Sequence, residues 1–188
     1  MEVRALLDVL HIAERLKDEL RHCETSKGRR ESVAEHCWRM TLMAFFMQDA
    51  FPDVEIDRVI KMCMIHDLGE CFTGDIPSFL KTKQDEQTEQ NALESWVNSL
   101  PEPYCAQLSA LYAEMDAQQT PEARLYKVID KLEAVIQHNE SDLRSWEPRE
   151  YDLNLTYAND VVQGSEYLTA LRAAMRADTE EKIAKGIQ

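Results

Sequence analysis

The chain has 188 residues, 44% hydrophobic and 30% charged, with 5 Gly, 6 Pro and a formal net charge of -14. That length suits one domain of roughly 100 to 200 residues around a single core, and the scarcity of Gly and Pro excludes the turn-dense rhythm of a β-sandwich in favour of an all-α fold. The negative charge excludes wrapping around a nucleic-acid polymer, which takes Lys and Arg against phosphates, yet leaves room for a small anionic ligand that needs only a local positive spot.

The spacing of Leu6, Leu7, Leu10, Ala13 and Leu16 predicts a first helix from Val3 to about Leu20 with one buried face. A polar loop, Cys23 to Glu31, follows; Arg21, Lys27, Arg29, Arg30 and Arg39 cluster around it and read mostly as solvated charges. Ser32 and Glu35 form a capping box that opens the second helix just before His36. Val33, Cys37, Met40, Ala44 and Met47 make its apolar stripe, with His36 on the stripe's edge. The longest apolar run, Met40 to Met47, is far below the ~20 residues of a membrane span, and Met1-Glu2 lacks a signal peptide's basic start, so a cytoplasmic protein without a membrane partner is expected.

A third helix, about Ile56 to Leu68, is apolar nearly all round and is expected to be the centre of the fold. Gly69 ends it, and the turn-rich Thr73-Gly74-Asp75-Ile76-Pro77 follows. Helices are expected over about Gln84 to Ser99, Pro103 to Ala117, and Thr120 to His138, the last opened by an N-cap Thr120 and Pro121 at N1. Trp146-Glu147-Pro148 reads as a break, and a helix from about Ser165 to Ala177 as peripheral. The expected architecture is a single domain over 1-188, a bundle of six to eight helices with its motif-bearing part at about 6-140 and peripheral helices over about 150-188. The odd set of Cys23, Cys37, Cys63, Cys71 and Cys105 contains no C-x-x-C pair and reads as reduced packing residues.

The informative stretch is His66-Asp67-Leu68-Gly69-Glu70. At about 100° per residue, Ile56, Val59, Cys63, His66, Asp67 and Glu70 share one third of the helix circumference if the helical turn persists to Glu70. An apolar face thus runs into three ionisable groups. Burying one unpaired carboxylate costs several kcal/mol, so the cluster calls for a cation, a hydrogen-bond network, or an opening to water where the helix end simply surfaces.

A histidine early on one helix, an adjacent His-Asp pair ending another and a later Asp inside a helix together resemble the H...HD...D signature of the HD phosphohydrolase superfamily. The residues are His36, His66-Asp67 and Asp130, and the resemblance covers roughly Leu6 to Glu140. Glu31-Ser32-Val33-Ala34-Glu35-His36, His66-Asp67-Leu68-Gly69-Glu70 and the T-G-D-x-P run at Thr73 to Pro77 are similar to the subgroup of bacterial 5'-deoxynucleotidases and their eukaryotic HD-domain relatives. Periodicity alone places Asp130 about 140° from the stripe of Leu125, Val128, Ile129, Leu132 and Ile136, on an exposed face; the resemblance selects it.

The resemblance implies one divalent metal ion held by His36, His66, Asp67 and Asp130. Two imidazoles and two carboxylates suit Mn, Co, Fe or Zn, and the family adds Mg. It also implies Glu70 as catalytic acid or base with Asp75 as its partner near the sugar, and Arg21 as the residue that holds the phosphate. His22 stands where that subgroup has a tryptophan associated with sugar recognition, so selectivity between deoxyribose and ribose does not carry over. The expected activity is hydrolysis of a nucleoside 5'-monophosphate, by a homodimer as in the family. Di-iron oxygenation, which recruits further histidines, is disfavoured because none occurs between His66 and His138. A non-catalytic nucleotide or metal sensor would need neither Glu70 nor Asp75. Cyclic nucleotides and pyrophosphate alarmones stay open as substrates.

Overall fold

The computed structural model describes residues 1-77 and 79-186. Its helical segments are α1 (Val3–Ala13), α2 (Val33–Phe46), α3 (Ile56–Ile65), the single turn α4 (Glu70–Thr73), α5 (Lys83–Asn98), α6 (Tyr104–Ala117), α7 (Pro121–Glu140), α8 (Pro148–Thr156) and α9 (Glu166–Gly186). Three short 3-10 turns and a two-stranded antiparallel hairpin, β1 (Leu20–Glu24) with β2 (Arg30–Ser32), complete the described elements. The protein is an all-α bundle, as its composition implies.

The predicted caps are where the sequence puts them. The Ser32 hydroxyl accepts from the Glu35 amide and Glu35 accepts from the Ser32 amide, closing the capping box. Thr120 caps α7 by accepting from the Ala123 amide at 3.1 Å, with Pro121 at the first helical position. These caps satisfy amides that helix starts leave unpaired. The cysteines are free, and all but Cys105 are buried.

The core centres on α7 more than on α3. Ala123, Ile129 and Leu132 are fully enclosed, together with Met40 and Ala44 of α2 and Val59, Met62 and Cys63 of α3. Burying a side chain the size of Leu132 contributes about 1.5–3 kcal/mol, so this three-helix contact carries much of the fold. Because α2, α3, α6 and α9 all pack against α7, its second face is buried too. One stripe of the sequence therefore understates how much of it is covered.

Three expectations are corrected. The first helix ends at Ala13, and only Leu16, in the 3-10 turn that follows, is buried; Leu6, Leu7 and Leu10 are about half exposed because nothing in the described chain covers that face. The expected loop at Cys23 to Glu31 is largely a hairpin, with Gly28 at φ +75 in its turn. The segment after His138, read as peripheral, is partly internal: Trp146, Glu150, Asn154 and Arg172 are buried, and Pro148 opens α8.

Candidate metal centre

The α3 helix ends at Ile65, whose carbonyl accepts from the Tyr112 hydroxyl at 2.7 Å. The chain nonetheless stays in right-handed helical dihedrals at His66 (φ -59) and Gly69 (φ -60), which carries the α3 face onward to α4. At Gly69 a Cβ would lie 2.7 Å from Glu89 Cγ, so only glycine lets α5 approach this turn without displacement.

His66 and Asp67 meet His36 from α2 and Asp130 from α7. His66 Nε2 lies 2.9 Å from Asp67 Oδ2 and 4.0 Å from Asp130 Oδ1; His36 Nε2 lies 3.3 Å from Asp130 Oδ1 and 3.9 Å from Asp67 Oδ2. An ion with bonds of about 2.1 Å separates neighbouring ligands by roughly 3.0–3.4 Å and opposite ones by roughly 4.2 Å. These separations match that frame, and ligand atoms of His36, His66 and Asp67 all lie within 4.8 Å of one another. His66 Nε2 is moreover a buried atom with no hydrogen-bond partner among the described residues, and its Nδ1 is occupied by the Cys63 carbonyl at 2.9 Å. A carbonyl only accepts, so Nδ1 carries the hydrogen, and the Nε2 lone pair of the neutral ring faces the two carboxylates. A divalent cation is what this donor set fits.

His36, expected on a stripe edge, is buried, because Glu133 of α7 caps it. Glu133 Oε2 accepts from His36 Nδ1, and the same carboxylate accepts from Arg21 Nη1 at 3.1 Å and Arg39 Nε at 2.7 Å. Burial works to raise the Glu133 carboxyl, but His36, Arg21 and Arg39 hold it down at about 2. This buried charge orients His36 and was missed in the sequence reading. Its one signal is its spacing of three residues from Asp130 on the same helix. Asp130 itself is part-buried and faces His36 and Lys127, whose Nζ lies 2.8 Å away, so periodicity misplaced it and the family motif did not.

Glu70 opens α4 and is buried, and its Oε2 has no partner among the described residues. Burial first, then the charges of Asp67, Asp75 and Glu89, push its carboxyl up to about 9. Gly74, at φ +80, turns the chain beside Glu19, whose Oε1 accepts from the Asp75 amide at 3.0 Å. Burial likewise raises Asp75.

A cavity of about 310 Å³ is lined by His36, Asp67, Asp130, Glu70, Asp75 and Arg21, and also by His22. Arg21 is more constrained than a loop charge: its Nη1 pairs with Glu31 at 2.8 Å and with Glu133. Arg39 likewise belongs to the Glu133 network and not to a solvated loop. A larger cavity of about 460 Å³ between α5 and α6 is lined by His66 and by none of the other predicted site residues.

The family model of the HD domain matches residues 13–171. The chain is 30% identical over 141 residues to the 5'-deoxynucleotidase HDDC2 of Homo sapiens, covering 73% of this chain and 68% of that protein. It is 36% identical over 112 residues to HDDC2 of Danio rerio, covering 58% of this chain and 55% of that one, little more than half the relative's length. Among solved structures, a predicted metal-dependent phosphohydrolase from Magnetospirillum magnetotacticum MS-1 superposes with a TM-score of 0.79 at 29% identity, over 96% of this chain and 93% of that one. With His36, Asp67 and Asp130 lining one cavity and His66 Nε2 beside Asp67, the chain belongs to the HD-domain phosphohydrolase family and is related to the 5'-deoxynucleotidases.

Proposed function

We propose that the protein hydrolyses nucleoside 5'-monophosphates, of the ribo or deoxyribo series, to nucleoside and phosphate, using one divalent ion held by His36, His66, Asp67 and Asp130. The observation that carries this reading is the buried, unpartnered Glu70 Oε2 in the cavity that His36, Asp67 and Asp130 also line. When bound, the ion supplies Lewis acidity toward water and charge neutralisation on the phosphoryl oxygens. Glu70, whose carboxyl its buried, acidic surroundings push upward, gives a proton to the departing 5'-oxygen in its protonated form or takes one from the attacking water as the carboxylate that the ion favours. Asp75 stands in the same wall as its partner.

Arg21 presents a guanidinium held in place by Glu31 and Glu133, and both of those ion pairs use Nη1. Its fork suits a phosphate better than a point charge would. His22 lines the wall near Phe79, its ring centroid 5.3 Å away, and faces the nucleoside part of the substrate. The reading includes a homodimer, because the Val3, Leu6, Leu7 and Leu10 face of α1 is left uncovered. No described helix is long and apolar enough to cross a membrane. Chromatographic product analysis across nucleoside monophosphates, cyclic nucleotides, pyrophosphates and phosphosugars, with Mn, Co, Mg and Zn, tests the proposal: monophosphates give nucleoside and phosphate, and turnover of another class alone overturns it.

A further inference from the structure

Three side chains beside the cavity are used neither by the four ligands nor by Glu70 and Asp75 as a cation site. They are His22 of β1, His138 of α7 and Glu150 of α8. Glu150 Oε1 lies 2.7 Å from His22 Nε2 and 3.1 Å from His138 Nε2, and the three atoms fall within 4.8 Å of one another. His22 and His138 both line the cavity that His36, Asp67 and Asp130 line, and Glu150 is buried behind them.

The hydrogen bonds fix what these atoms can be. His138 Nδ1 lies 2.9 Å from the Ala134 carbonyl oxygen, which only accepts, so Nδ1 carries a hydrogen and donates it. In the neutral ring the Nε2 lone pair then points at a carboxylate oxygen 3.1 Å away. Two acceptors come that close only with positive charge between them, either a proton on Nε2 or a cation bound by both. His66 has the same arrangement, its Nδ1 tied to the Cys63 carbonyl and its Nε2 facing carboxylates. Tying the outer nitrogen while the inner one faces the ion is how histidine ligands are oriented.

No Lys or Arg among the described residues pairs with Glu150. That separates this cluster from Glu31, His36 and Glu133, whose carboxylates are already neutralised by Arg21 and Arg39. We propose that His22 Nε2, His138 Nε2 and Glu150 Oε1 form a second cation site, for a borderline divalent ion such as Zn, Co or Ni, on the wall of the same cavity. Two imidazoles and one carboxylate leave coordination positions open toward the cavity, and bring one negative charge where the first site brings two. The second site therefore fills after the first. An ion there gives the nucleoside end of the cavity a centre that oxygen or nitrogen donors of a ligand can reach.

Equilibrium dialysis against Co²⁺ followed by elemental analysis tests this without reference to turnover. Wild type binds two ions per chain at saturation. His22→Ala and Glu150→Gln each bind one, with helix content by circular dichroism unchanged in His22→Ala, whose side chain is 27% exposed. Asp67→Ala binds one and keeps the ion that His22→Ala loses, so the two sites fail separately. Should Glu150→Gln not fold, His22→Ala decides alone. A wild-type protein that saturates at one ion, or a second ion that survives His22→Ala, overturns the proposal.

Discussion

Glu70→Gln keeps the size of the side chain and removes its ionisation, which separates proton transfer from metal binding. In the metal-stripped protein the Glu70 carboxyl is held at about 9 against an ordinary 4.5. A folded pKa above the unfolded one gives stability that is complete below pH 4.5 and is lost as pH rises toward 9. At about 1.36 kcal/mol per unit, that amounts to about 3 kcal/mol lost by pH 7 and at most about 6 kcal/mol by pH 9. Thermal melts of stripped wild type therefore fall in Tm across pH 5 to 9, whereas Glu70→Gln lacks that part of the slope. Saturating metal narrows the difference, because a nearby cation favours the carboxylate. In the loaded protein the same substitution lowers kcat by about 10²- to 10⁴-fold while metal content stays. Parallel melts of stripped wild type and variant across that range, together with near-normal kcat, would show that neither the burial argument nor the acid-base role holds.

Arg21→Ala raises KM for a nucleoside monophosphate by roughly 10- to 100-fold, from about 1.5–3 kcal/mol of charge-assisted contact; an unchanged KM makes Arg21 a purely structural partner of Glu31 and Glu133. Glu133→Gln, which leaves the His36 ring less firmly oriented, weakens metal affinity by about 10- to 100-fold in a competition titration, and unaltered affinity refutes its positioning role. Paired Leu6→Glu and Leu10→Glu convert a dimer to a monomer in size exclusion with light scattering; a wild type that is already monomeric removes the interface.

Local chemistry was the legible part of the fold. Ser32 with Glu35, and Thr120 with Pro121, announce helix starts because capping is settled within a few residues. What the sequence could not show depends on partners far along the chain. Leu6, Leu7 and Leu10 form a face that looks buried, yet no element among the described residues covers it. The β1–β2 hairpin is short and charged, with no apolar alternation; it is fixed by side-chain bonds, Arg30 Nη2 to the Leu20 carbonyl within the hairpin and Gln137 Nε2 of α7 to the Glu24 carbonyl.

The site divides in the same way. His66 and Asp67 were visible because an apolar helix face runs straight into them. Asp130 came only from the family motif, since a single stripe cannot describe α7, a helix covered on two sides. Glu133 and Glu150 are buried carboxylates whose partners are histidines and arginines on other elements, a pairing that spacing does not encode.

The central claim is that an ion held by His36, His66, Asp67 and Asp130 drives phosphate release from a nucleoside monophosphate. Its most direct test measures that release by chelator-stripped protein as Co²⁺ is added back, with wild type beside Asp67→Ala. Stripped wild type is inactive and regains turnover with the ion, whereas Asp67→Ala stays inactive at every concentration. Stripped protein as fast as loaded protein, or Asp67→Ala restored to the wild-type rate, would contradict the account.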